Sequence, residues 1–388
     1  MVELSDIVGQ DQALQRLVAA MGSQRPPHAW IFAGPAGVGR RTTAWALAKW
    51  LLCAQPAAAG AGRPGDIAGQ SGIAGRSGDT AKRPAACGRC PSCRAFDSGT
   101  HGDFHAVTKE LARYSEDPEV RKRIMQNLGI EVVREFIIAP ARRTSTLGRG
   151  RVFVIQEAEL MSEQAQNALL KTLEEPPPGV RLILLCRTEQ ELLPTTRSRC
   201  ALVRFAPLEP AFVEQKLVAA SIEPAEAAYW ARQSAGSLGE SLRLAQAGLY
   251  AIKREMLERL AALPQSADAE LGDWFSAKAE ELSKAAVGAD EQVSALLATR
   301  RAGGAMLALL AGIFRDVLAA AAGKPGALIN ADQAQAVARL AGRFDLDTAA
   351  QIVSQLGRYE QLLWRNVNAK VLWDNVLITC DTAAPLEV

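Results

Sequence analysis

The 388-residue chain carries 44 basic and 42 acidic side chains, a formal net charge of +2, with 48% hydrophobic and 22% charged residues. That is ordinary for a globular protein of two or three domains with a sizeable core, and it excludes a whole-molecule electrostatic drive onto nucleic acid, so any basic surface is local. No run approaches 18 apolar residues and the N-terminus lacks a basic-then-apolar signal pattern, which predicts a cytoplasmic location and no membrane partner.

Residues 5–24 carry Ile7, Leu14, Leu17 and Val18 at helical spacing and predict a short N-terminal helix. His28–Ala33 is an apolar run that reads as a first strand. It feeds Gly34-Pro35-Ala36-Gly37-Val38-Gly39-Arg40-Arg41, where Gly34 and Gly39 have the spacing of a loop that cradles phosphate at the mouth of a helix. Arg40 stands where such a loop has its phosphate-binding lysine, and Arg41 where it has the magnesium-ligating Ser or Thr. A guanidinium can hold phosphate, but it cannot supply a hydroxyl ligand. Sliding onto Thr42 breaks the glycine register. The loop fold is therefore expected to survive and its ATP/Mg chemistry is not.

Residues 42–53 form the following helix, ending at Cys53. From Ala54 to Ala86 the chain is rich in Ala, Gly, Pro and Ser, includes a short tandem duplication over residues 67–78, and holds too few large apolar residues to fold. This stretch is expected to be a disordered insertion. Cys87-Gly88-Arg89-Cys90-Pro91-Ser92-Cys93 follows. Three of the seven cysteines in so tight a ladder, in a reducing compartment, point to metal rather than disulfide. With Cys53 as fourth ligand they predict a closed, structural Cys₄ zinc site. His101 and His105 are alternative fourth ligands, and plain buried or free thiols are the bland alternative. The gap between Cys53 and Cys87 is 33 residues. Lengthening a short loop about fourfold adds only about 1 kcal/mol of closure entropy, against roughly 10–16 kcal/mol for a structural zinc in model peptides.

Asp103–Val107 reads as another strand, Lys109–Arg123 as a solvated excursion and Ile130–Ile138 as a helix. Arg142, Arg143, Arg149 and Arg151 could touch DNA, but no aromatic residue interleaves them, and a solvated loop is the reading preferred. Val152–Ile155 and Val180–Cys186 are short apolar runs bounded by turn signals, as in buried parallel strands. Gln156 and Glu157 occupy the tip of the first, where open α/β sheets place their ligands. An ATPase has Asp-Glu there, the Asp serving Mg²⁺ and the Glu the attacking water; here Gln156 replaces the Asp and Glu157 remains. Between the two strands a helix through Asn167–Glu175 is stopped by Pro176-Pro177-Pro178. Beyond Leu208 the pattern turns helical, with helices expected at 211–220 and 224–233, another opening at 236–242, and then 269–286, 291–300, 304–322, 331–343, 346–355 and 358–378.

The block Asn167-Ala168-Leu169-Leu170-Lys171-Thr172-Leu173-Glu174-Glu175-Pro176-Pro177-Pro178, followed by Ser198-Arg199-Cys200, resembles the AAA+ module of bacterial DNA polymerase III clamp-loader subunits over roughly residues 1–210. The resemblance implies an α/β P-loop module with a parallel sheet (1–206), a small helical lid (207–262) and an all-α collar that oligomerises (263–388), the last around Trp364–Lys370. It also implies an adenine-side role for Val8-Gly9-Gln10, with plain helix packing the equal alternative, and a zinc module on Cys53, Cys87, Cys90 and Cys93. Gly34, Gly37, Gly39, Arg40, Arg41 and Glu157 would form a degenerate nucleotide site, and Gly239 would stand where an ATP-hydrolysing relative has a second sensing arginine. Ser198-Arg199 would be an arginine finger reaching a neighbour's ATP in trans. The expected partners are tau/gamma and delta subunits, the sliding clamp and, through the complex, primed DNA. With three ATP contacts altered, a non-hydrolysing stator with no autonomous ATPase is expected. The alternatives are a working tau/gamma-type ATPase and a non-replicative AAA+ switch of DNA repair.

Overall fold

The computed structural model describes residues 2–56, 84–122, 127–262, 269–289, 295–324, 326, 328–363 and 369–382. They fall into two compact units, residues 1–209 with 236–239, and residues 210–235 with 240–388.

The first unit is built on five strands: β1 (Ala29–Ala33), β2 (Phe104–Val107), β3 (Arg151–Ile155), β4 (Val180–Cys186) and β5 (Ala201–Arg204). They form one sheet in the order β2-β3-β4-β1-β5, with every pairing parallel. Side chains alternate faces along a strand, so each central strand feeds two cores. Ile31, Phe153, Ile155, Leu182 and Leu184 pack on one face with the helix Glu163–Glu174. Trp30, Phe32, Val152, Val154, Ile183 and Leu185 pack on the other with the helix Arg40–Leu52. Apolar residues on both faces are why these strands read as continuous runs. β1 lies between β4 and β5, so the loop leaving it sits where strand order reverses, the usual ligand crevice of such sheets.

Several expected elements are revised. The N-terminal stretch is a 3₁₀ turn, Leu4–Asp6, and a separate helix, Asp11–Met21, divided at Gly9 with φ +77°. Lys109–Arg123 is not simply solvated, because a 3₁₀ helix (Lys109–Tyr114) and a short helix (Pro118–Lys122) insert Ala112 and Val120 into the core. Ile130–Val133 continues through a π-helical stretch, Arg134–Ile138, into Ala139–Ala141. The expected insertion lies mostly outside the described residues.

The second unit is helical. The two helices expected at 291–300 and 304–322 are one, Ala295–Ala321. Gly303 does not break it, because a neighbouring side chain, Leu363, closes over the glycine at about 3.0 Å from where a Cβ would stand; packing overrides propensity here. This helix is long and apolar enough to cross a membrane by length and composition, and half of its most apolar window is buried inside the fold, as in a core helix. Leu346–Leu362 and Ala369–Thr382 replace the expected 346–355 and 358–378. Trp364 and its motif neighbours through Asn368 lie outside the described residues. Lys253 is fully buried. Its Nζ is 2.6–2.8 Å from both carboxylate oxygens of Asp332, with the Tyr229 ring 4.3 Å away.

Candidate nucleotide loop, cysteine cluster and Arg199

The glycine-rich loop has the backbone of a phosphate cradle. Gly34, Gly37 and Gly39 have φ of +153°, +72° and +103°, and a side chain at Gly34 would collide with the carbonyl of Phe205. Gly34 N–H donates to the carbonyls of Cys186 (3.2 Å) and Arg187 (3.0 Å), tying the loop to the tip of β4. Arg40 turns inward and its Nη1 donates to that same Cys186 carbonyl. Burial lowers the Arg40 pKa, partly offset by Glu159. Glu159 is itself pushed up by burial, and its Oε2 has no hydrogen-bond partner. Arg41 points elsewhere, its guanidinium 4.8 Å from the Trp45 ring centre. Thr43 Oγ1, the nearest buried hydroxyl on the helix, donates to Gly39 C=O at 2.9 Å.

The other nucleotide-side residues are committed internally as well. Glu157 is a non-glycine residue in the left-handed region (φ +49°, ψ +48°), a conformation that costs strain, and its carboxylate pairs with Lys109 at 3.1 Å. Gln10, assigned above to the adenine side, is buried. Its Nε2 donates to the carbonyls of Val38 (3.2 Å) and Ala206 (2.7 Å), while its Oε1 accepts from Ala206 N (3.1 Å). Gly239 lies directly on the loop: its N–H donates to Gly37 C=O at 3.0 Å, and a Cβ there would stand 3.0 Å from Gly37 Cα.

At the other end of the helix Arg40–Leu52, the sulfurs of Cys53, Cys87, Cys90 and Cys93 all lie within 4.8 Å of one another. Cys87 and Cys93 sulfurs are 3.9 Å apart, close to the ~3.8 Å edge of a tetrahedron with 2.3 Å metal–sulfur bonds. Backbone N–H groups already point at the sulfurs, Cys87 N at Cys53 Sγ (3.2 Å), Cys90 N at Cys87 Sγ (3.4 Å) and Cys93 N at Cys90 Sγ (3.4 Å). Burial opposes ionisation of Cys87, but the N–H groups of Arg89 and Cys90 and its thiol neighbours outweigh it, bringing the thiol down to about 6. Burial pushes Cys93 up. The donor set fits a metal ion that favours thiolates. The histidine alternatives are both engaged elsewhere. His101 Nε2 is 2.9 Å from Ser92 Oγ and its Nδ1 accepts from Asp103 N at 3.1 Å, while His105 stacks on Phe153 at 4.7 Å. With Asp103 beside them, Ser92 and His101 look like a catalytic triad. The tautomer rules that out: Nδ1 is the acceptor, so Nε2 carries the proton, and Ser92 Oγ donates onward to Leu52 C=O at 2.7 Å.

Among the described residues of the first unit, two buried ion networks escaped the sequence reading. Lys49 Nζ is 2.9 Å from Glu3 and 2.8 Å from Asp97, and Glu3 Oε2 accepts from Ala86 N at 3.2 Å, so the cysteine module, the N-terminal turn and the loop helix share one charge cluster. Asp103, fully buried, accepts from Thr146 N (2.8 Å) and Leu147 N (2.9 Å) and has Arg151 Nη2 at 3.5 Å. Arg151 is thereby removed from the surface-arginine group. Arg142 instead lines a recess of about 390 Å³ with Arg134, Lys171 and Glu175.

Ser198 and Arg199 follow the short helix Pro194–Arg197 and enter β5. Arg199 Nε donates to Glu174 Oε1 at 2.9 Å, and its Nη1 to Thr195 C=O at 2.8 Å and to Ser198 Oγ at 3.2 Å.

The parallel order β2-β3-β4-β1-β5 with a glycine-rich loop leaving β1 defines the first unit as an AAA+ P-loop module. The family described as "DNA polymerase III, delta subunit" matches residues 73–209, and that described as "DNA polymerase III, delta subunit, C terminal" matches residues 279–382. The DNA polymerase III subunit delta' of Escherichia coli (strain K12) is 30% identical over 265 residues, covering 68% of this chain and 66% of that protein. Its Pseudomonas aeruginosa counterpart is 33% identical over 226 residues, covering 58% and 56%. The Escherichia coli subunit tau is 29% identical over 246 residues, covering 62% of this chain and 32% of that protein. The chain thus spans less than two thirds of the length of these relatives. It belongs to the delta-prime family of DNA polymerase III clamp-loader subunits.

Proposed function

We propose that this chain acts as the delta-prime stator of a DNA polymerase III clamp loader. In that role it assembles with tau/gamma and delta subunits in the cytoplasm and helps place the sliding clamp on primed DNA. The observation that carries this reading is the internal commitment of the nucleotide loop: Arg40 is bonded to the Cys186 carbonyl, Arg41 is turned toward Trp45 and Glu157 is held by Lys109. A chain that retains the cradle without a hydroxyl for Mg²⁺ has no hydrolytic role of its own. It can still lend Arg199 to a neighbour's triphosphate, where a guanidinium offsets the charge of the transferring phosphoryl group.

Zinc is the metal we assign to Cys53, Cys87, Cys90 and Cys93, where it would supply a structural cross-link between the loop helix and the module 84–97. Residues 207–262 act as lid and 263–388 as oligomerising collar.

Reconstitution with the partner subunits tests the reading. An arginine finger contributes on the order of 10³–10⁵ in turnover at the site it serves, so Arg199→Ala should sharply lower the assembled loader's ATPase while the isolated chain stays folded. Unchanged turnover in the complex removes the finger assignment. Magnesium-dependent hydrolysis by the isolated chain at the rate of a working AAA+ enzyme overturns the stator reading in favour of a tau/gamma-type ATPase.

A further inference from the structure

We propose that Glu174 is a positioning residue that holds Arg199 back until a neighbour's nucleotide competes for it; the proposal rests on Arg199 being the finger. A guanidinium has five N–H donors. Within this chain it makes three hydrogen bonds, from Nε to Glu174 Oε1 at 2.9 Å and from Nη1 to Thr195 C=O at 2.8 Å and Ser198 Oγ at 3.2 Å, and Nη2 adds an ion-pair contact to the same Glu174 Oε1 at 2.5 Å. The carboxylate also cancels the charge that a finger delivers, and stabilising a transferring phosphoryl group requires a cation aimed at it without a competing anion. As folded, Arg199 is in a held state.

The hold is built to be weak. Glu174 is the last residue of the helix Glu163–Glu174, where Pro176 and its successors stop the helix and fix the position of the carboxylate. The C-terminal end of a helix adds its own attraction for a cation. Yet the Arg199 and Glu174 side chains are 33% and 48% exposed, and exposed pairs of this kind are worth little, so the guanidinium exchanges readily when a multiply charged phosphate arrives. The same geometry sets the sign of its effect. Glu174 lowers the fraction of time that Arg199 is free, and so lowers turnover in the loader's resting state.

The test is ATP turnover of the reconstituted loader at saturating ATP, with neither clamp nor DNA present. Glu174→Gln keeps the shape and removes the charge. It should raise this basal rate by roughly two- to fivefold, the range expected on releasing an exposed pair. Glu174→Asp should fall between the two. In the Arg199→Ala background Glu174→Gln should change nothing, since the carboxylate acts only through the arginine. If Arg199→Ala lowers turnover while Glu174→Gln lowers it or leaves it unchanged, the hold is wrong and the finger stands. If Glu174→Gln has the same effect with and without Arg199, the carboxylate acts elsewhere and the proposal fails. If Arg199→Ala itself changes nothing, finger and hold fall together.

Discussion

The two ends of the helix Arg40–Leu52 have had opposite fates. At its start the loop geometry is complete, with positive-φ glycines and a helix opening onto the crevice, but the chemical groups have been replaced and turned inward. At its end Cys53 meets three more cysteines with all four sulfurs converged, and Lys49, one turn earlier, is buried between two carboxylates. One end has kept a shape and given up its chemistry. The other has kept every donor. If the chain is the stator proposed above, the difference teaches that the helix serves as a strut anchored at the cysteine end, and that changes at the loop end should cost it less because no turnover is asked of that end.

The largest expected effect is therefore metal loss. Metal analysis should find about one zinc per chain, and Cys93→Ser or a strong chelator should unfold the first unit or lower its stability by several kcal/mol, since structural zinc contributes directly to folding free energy. Urea unfolding followed by tryptophan fluorescence measures it. A metal-free preparation with an undiminished transition would erase the contrast between the two ends.

A smaller effect separates the ends by charge. Lys49→Met leaves Glu3, a buried carboxylate, without its cation, and removing one member of a buried pair costs about 3–5 kcal/mol. Arg40→Met removes a half-buried donor from a carbonyl that still receives Gly34 N–H, so the loss should be nearer 1 kcal/mol. Equal costs in the same unfolding assay would mean that the loop end also holds the unit together.

Much of this was legible in the chain itself. Strands buried on both faces announce themselves as apolar runs, and glycine and cysteine spacings encode backbone turns and ligand geometry that need no long-range information. What stayed hidden depends on contacts across the fold. Nothing local to Lys49, Glu3 or Asp103 marks them as buried partners, because their mates are 46, 43 or more residues away. Glu174 lay inside a recognised block, yet its link to Arg199 spans 25 residues and needed the Pro-stopped helix to be placed. Cys53 was already preferred over His101 from the sequence, and what the fold adds is that the Ser92 and Asp103 contacts occupy that imidazole.

The smallest effect expected is on deleting residues 58–82, and its sign is informative. The deletion leaves eight residues between Cys53 and Cys87 in place of 33. Loop closure weakens as about (3/2)RT ln n, so a fourfold shorter gap should favour the assembled cysteine cluster by about 1 kcal/mol at most. Thermal unfolding should therefore shift slightly upward or not at all, and zinc content should stay the same. A substantial fall in melting temperature would show that the deleted residues contribute contacts of their own. The stability of the cysteine end could then no longer be credited to four thiols and one buried lysine.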